Sequence, residues 1–139
     1  MLHVSGLVPA RFLCLISHLI LSITLLMSKQ ENIKACLPLE YTEDMMYRKE
    51  TELTAGLGVA IGLMGIEMIG FLAGLSMFSP TQALVSICSH ATATVSLAYM
   101  MLDLWDCSLY WVVFSLCSCI PATIEVSIMI GVVGLKKPI

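Results

Sequence analysis

The chain has 139 residues, of which 58% are hydrophobic and only 12% charged, with a formal charge of -3 and a mean hydropathy of +0.93. That balance lies far from an ordinary water-soluble domain, and with no basic patch it excludes nucleic acid as a partner. It predicts an all-α membrane protein: four transmembrane helices in one antiparallel bundle, both termini on the same, cytoplasmic side.

The first apolar run covers residues 8–27, with Arg11 near its start. An N-terminal run after a cation can also be a secretory signal, but Met27-Ser28-Lys29 supplies no small-residue cleavage site, so it reads as a retained first span. Residues 28–52 carry most of the charge, and with Pro38 in the middle they read as a non-cytoplasmic loop, part of it lying against the membrane surface.

The second span is 53–78. Helical spacing puts Gly56, Ala60, Leu63, Glu67, Gly70 and Gly74 on one face, with Gly58, Gly62 and Gly65 on nearly the opposite one. Gly58-x-x-x-Gly62 and Gly70-x-x-x-Gly74 permit close backbone approach, which is how membrane helices associate when lipid supplies no hydrophobic drive. Glycine is also simply common in membrane helices. The reading adopted makes this helix the packing hub, with the Glu67 face turned into the bundle and the other free for partners.

Ser79-Pro80-Thr81 marks a turn, followed by a third span at 83–104 and a fourth at 109–135. Trp105, Tyr110 and Trp111 read as an interfacial aromatic belt. Pro121 removes a backbone donor one turn before Glu125, which predicts a bend, either merely tolerated or shaping a groove for membrane lipid or a partner. The chain ends Lys136-Lys137-Pro138-Ile139, which fits a dilysine retrieval signal, though two lysines beside a last span are also what anchoring at the headgroups requires. Arg11, Lys136 and Lys137 on the terminal side face Lys29, Lys34, Arg48 and Lys49 on the other; the terminal lysines, with no acid nearby, place the ends in the cytoplasm.

Each span carries one ionisable residue near mid-depth: His18, Glu67, His90 and Glu125, which can share a layer. A charge at the bilayer centre costs roughly 2.5 to 3.5 kcal/mol on insertion scales, so such groups face the bundle and find partners. One reading is a proton or cation path, and with it a small transporter or channel subunit. The other is hydrogen-bonded packing, with hydroxyls such as Ser86 and Thr94 on the His90 face, and it is preferred because no polar track along the spans is legible.

Of six cysteines, Cys14, Cys88, Cys117 and Cys119 lie in apolar runs and behave as small hydrophobes. Cys36 and Cys107 fall in the two connections on the non-terminal side and form a candidate disulfide if that side is lumenal or extracellular. No catalytic motif, phosphate loop or metal-ligand spacing is present, so no enzyme, cofactor or metal is expected.

Several local strings carry a family resemblance: Ser5-Gly6-Leu7-Val8-Pro9, Arg11-Phe12-Leu13, Ala35-Cys36-Leu37-Pro38-Leu39, Gly70-Phe71-Leu72, Ser76-Met77-Phe78, Tyr110-Trp111 and Gly134-Leu135-Lys136-Lys137. Together, nearly end to end, they resemble the transmembrane protein 107 family. The resemblance implies a four-span, non-catalytic protein of the ciliary transition zone, reached through the endoplasmic reticulum. It implies as partners the membrane proteins of the Meckel-Gruber and Joubert module, tectonic-type proteins included, and a role in cilium assembly and ciliary membrane composition. The chain departs from the family pattern in lacking a glycosylation sequon, since Asn32 is followed by Ile33-Lys34.

Overall fold

A computed structural model describes residues 4–136. They form four helices, each long and apolar enough to cross a membrane: α1 (Val4–Ala35), α2 (Glu43–Leu72), α3 (Pro80–Asp103) and α4 (Cys107–Gly134). The side-chain pairs Arg11 with Glu125, His18 with His90, and Asn32 with the Met100 carbonyl set the directions. α1 and α3 run one way, α2 and α4 the other, so the start of α1 and the end of α4 share one end of the bundle. α1 packs chiefly on α3 and α2, and α2 packs on the second half of α4.

The segment 28–52, expected as a loop, is mostly helix. α1 bends at Ser28 (φ -107°, ψ 15°) and continues to Ala35, while α2 already begins at Glu43. Several of its charges pair within or between the two helices: Lys34 with Glu31, Lys49 with Glu52, and across them Lys29 with Glu50 at 3.1 Å, Lys29 also donating to the Thr54 hydroxyl at 2.8 Å. Asn32 and Ile33 are buried, and the Asn32 amide donates to the Met100 carbonyl at 2.8 Å. Thr42 caps α2 by accepting from the Met45 amide, and Glu43 and Asp44 sit favourably in its first turn.

α2 stops at Leu72, earlier than the apolar run to 78 suggests. Gly74 takes φ +80°, its amide donates to the Phe71 carbonyl, and the Leu75 amide reaches back to Gly70. This is a Schellman termination, which needs a residue able to adopt a left-handed conformation. Gly74 is therefore a helix stop and not a packing contact, which corrects its pairing with Gly70.

Pro80 opens α3 in the first turn, where its missing donor is harmless. Asp106 caps α4 through the Ser108 amide at 3.0 Å, and that hydrogen bond holds its carboxyl below the ordinary aspartate range. The expected disturbance at Pro121 is a widening of the helix: Ser115–Cys119 is π-helical, and the consecutive residues Cys117 and Ser118 both point inward.

The interior is divided along its length. Toward the 36–42 connection it is apolar: Leu25, Ile33, Leu53, Leu57, Leu97, Met100 and Tyr110 form one buried cluster. Toward the chain ends it is polar. Outside, Leu13, Met27, Ile69, Leu102 and Leu116 stand exposed on the span surfaces, as lipid-facing side chains do.

Candidate functional site

The polar half is built around Arg11, which is fully buried. It was read above as a flanking cation, and the structure places it inside the bundle. One terminal nitrogen donates to the Glu125 carboxylate at 2.8 Å and to Glu67 at 3.2 Å; the other donates to the carbonyl and hydroxyl of Ser76 at 3.2 and 3.1 Å. The guanidinium carbon lies 5.0 Å from the centre of the Phe71 ring. Ser76 reaches this position because the chain reverses at Gly74.

Each carboxylate collects three donors. Glu125 accepts from Arg11, from the Ser76 hydroxyl at 2.6 Å and from the Gln82 amide at 3.0 Å, and the same Gln82 nitrogen donates to the Pro121 carbonyl at 3.2 Å. Glu67 accepts from Arg11, from the Ser86 hydroxyl and from His90 Nε2 at 2.8 Å. His90 Nδ1 lies 2.7 Å from His18 Nδ1. A carboxylate only accepts, so His90 donates from Nε2, and in that tautomer its Nδ1 accepts a hydrogen bond from His18 Nδ1–H. Glu67, Glu125, His18 and His90 are all at most 2% exposed.

The four expected ionisable residues therefore belong to one network, which Arg11, Ser76, Gln82 and Ser86 extend beyond them. Gln82, Ser86 and His90 follow one another at four-residue intervals on α3, about 12 Å along its axis at 1.5 Å per residue. This is the polar track that was not legible in the sequence. It begins beside Ser76 and Gln82 near the 73–79 turn and reaches His18 and His90, beyond which lies the apolar cluster. Thr94 is not part of it; its hydroxyl donates to the His90 carbonyl within its own helix at 2.7 Å.

The glycines separate as the helical wheel predicts, except for Gly74. Gly70 is buried, and a Cβ there would overlap the Glu125 carboxylate. Gly56 is held closely too, though less so, with Tyr110 at 2.9 Å from where a Cβ would stand. At Gly58, Gly62 and Gly65 a Cβ would meet nothing within 4 Å, so this face is unpartnered among the described residues.

At the opposite end Cys36 and Cys107 are joined in a disulfide, Cα to Cα 5.8 Å, tying the end of α1 to the start of α4. The Cys107 amide also donates to Cys36 Sγ at 3.0 Å. Lys136 is exposed at the end of α4 with φ 50°, and Lys137 lies outside the described residues. Among the described residues no three His, Cys, Asp or Glu side chains gather as ligands for a metal ion.

Four apolar helices closed around a buried ion cluster define a multi-pass α-helical membrane protein. The family described as TMEM107, transmembrane protein, matches residues 7–129. The chain is 46% identical to Transmembrane protein 107 of Homo sapiens and 45% identical to that of Rattus norvegicus, in each case over 97% of this chain and 96% of the relative. It is 47% identical to Transmembrane protein 107 of Xenopus laevis over 96% of both chains. The chain belongs to the transmembrane protein 107 family. No solved structure matches it.

Proposed function

We propose that the protein is a non-catalytic scaffold in the membrane of the ciliary transition zone, reached through the endoplasmic reticulum. There it helps assemble the Meckel-Gruber and Joubert module with partners that include tectonic-type proteins, and so supports cilium assembly and control of ciliary membrane composition. The observation that carries this reading is the family match along nearly the whole chain. The internal architecture agrees with a scaffold: the ionisable groups are used up in holding four helices together, and the Gly58, Gly62 and Gly65 face stays open to another membrane helix.

Proximity labelling from a tagged copy in ciliated cells tests it. The expected result is enrichment of transition-zone membrane proteins at the ciliary base. Label spread through endoplasmic reticulum proteins, with none at the base, would refute the scaffold and favour the dilysine reading.

The polar track gives a proton- or cation-coupled subunit one specific observation in its favour. Against it, the track ends at buried Ser22, one turn beyond His18, and Leu25, Leu57 and Leu97 close the way beyond. A path needs polar or aqueous continuity to both faces, and a half-depth network enclosed by buried side chains is a lock between helices.

A further inference from the structure

We propose that the groove between α2 and α4 binds an anionic phospholipid, its acyl chain lying in the groove and its headgroup at Lys136.

Two adjoining hollows, about 300 and 420 Å³, share Val126 and run along the outside of the bundle. Their walls are Leu63 and Ile66 of α2 and, on α4, chiefly Ala122, Val126, Ile130 and Gly134. The hydroxyls that reach the groove, Thr123 and Ser127, are already spent on carbonyls of their own helix at 2.6 and 2.8 Å. The groove offers an occupant only apolar contact. From Cys119 to Gly134 it follows α4 for about 22 Å at 1.5 Å per residue, which exceeds the roughly 15 Å depth of one leaflet of hydrocarbon. An acyl chain fits it lengthwise.

Two features shape it. The end of α4, Ile130–Gly134, is π-helical with no buried residue, because α2 has already stopped at Leu72 and leaves this segment uncovered. The groove also borders the Gly58, Gly62 and Gly65 face, because Ile66 on its wall follows Gly62 by one turn of α2.

Charge selects the headgroup. With Arg11 buried against two carboxylates, the charged side chain left at this end among the described residues is Lys136, with no Asp or Glu there outside the cluster; Lys137 follows it in sequence. The other end carries four cations against eight carboxylates in 28–52 and 103–106. Lys136 follows Gly134 at the mouth of the groove by two residues and is exposed. A basic mouth free of acids attracts anionic lipid at the membrane surface.

The test uses the full chain in nanodiscs of phosphatidylcholine and phosphatidylserine at 4:1, with retained lipid read by native mass spectrometry. Wild type should keep one phospholipid, with phosphatidylserine enriched about fivefold over its share of the mixture. Val126→Trp fills the groove from a position already partly exposed and should bring retention to background while the protein still elutes as a folded species. Ile66→Trp, on the facing wall, does the same should the first variant misfold. The double substitution Lys136→Gln, Lys137→Gln should keep a lipid but lose the preference. No retained lipid in wild type, unchanged retention in both folded tryptophan variants, or a serine preference that survives without the lysines would overturn the proposal. So would a mass of two chains that either tryptophan variant dissociates, since a second copy would then fill the groove. None of these readouts depends on ciliary location.

Discussion

Gly70 of α2 lies directly against the carboxylate of Glu125 on α4, where a single added methyl group would collide with the oxygen that accepts from Ser76. The glycine thus sets how near α4 comes, and with it whether Arg11 can reach both acids at once. Gly70→Ala should lower stability by about 1 to 3 kcal/mol through overpacking, despite the better helix propensity of alanine. Thermal unfolding in detergent measures it. Gly58→Leu with Gly62→Leu should leave the melting temperature within a few degrees of wild type, because a Cβ there meets no neighbour among the described residues. On the scaffold reading the same double variant should fail to co-purify with transition-zone membrane proteins.

Removing Arg11 leaves Glu67 and Glu125 buried without their shared cation. Arg11→Met should cost about 3 to 5 kcal/mol, the range for breaking one side of a buried ion pair. The triple variant Arg11→Met, Glu67→Gln, Glu125→Gln removes all three charges and should recover most of that loss, as seen in detergent melting or in the level of folded protein. A triple variant no more stable than the single one would mean that charge pairing is not what holds this end together.

Glu67→Gln alone should be tolerated. Arg11 keeps Glu125 at 2.8 Å, and the glutamine can still accept from Ser86 and donate to a His90 that has changed tautomer. Proteoliposomes holding a pH-sensitive dye should show no proton flux above that of empty vesicles for either wild type or variant. Flux through wild type that Glu67→Gln abolishes would support the transport reading and count against the scaffold.

The disulfide leaves Cys14, Cys88, Cys117 and Cys119 as thiols. Denatured without reductant, wild type should take up four maleimide labels and Cys36→Ser five, since Cys107 is released. Closing a loop across a separation of 71 residues stabilises by about 2 to 4 kcal/mol, so the variant should also melt lower. Six labels on wild type would show that the bond does not form.

Much of this was legible from apolar run lengths and from the rarity of charge within them. The four spans, the inward set of His18, Glu67, His90 and Glu125, and the division of the α2 glycines all follow from hydropathy and helical spacing. Arg11 was missed because a cation seven residues into a helix next to a chain end looks like a headgroup anchor. The signal that could have found it is spacing: Arg11, His18 and Ser22 lie on one face of α1, just as Gln82, Ser86 and His90 do on α3. Ser76 was hidden for another reason, since it lies outside any helix and is aimed only by the reversal at Gly74. The helical extensions through 28–35 and 43–52 escaped notice because Pro38 and dense charge imitate a loop, whereas interhelical pairs such as Lys29 with Glu50 hold them in register.

The distance along the chain between Arg11 and Glu125, 114 residues, imposes an order on synthesis. Arg11 is made first, in a span that enters the membrane with an unanswered cation, and Glu67 arrives only with the second. The last acid comes with α4, which also brings Cys107 to Cys36. Until then α1 has neither its full ionic partner nor its covalent tie, so the first helix to be made is the last to be fixed in place. A nascent chain interrupted before α4 would hold that cation with Glu67 and Ser76 but without its nearer acid, Glu125.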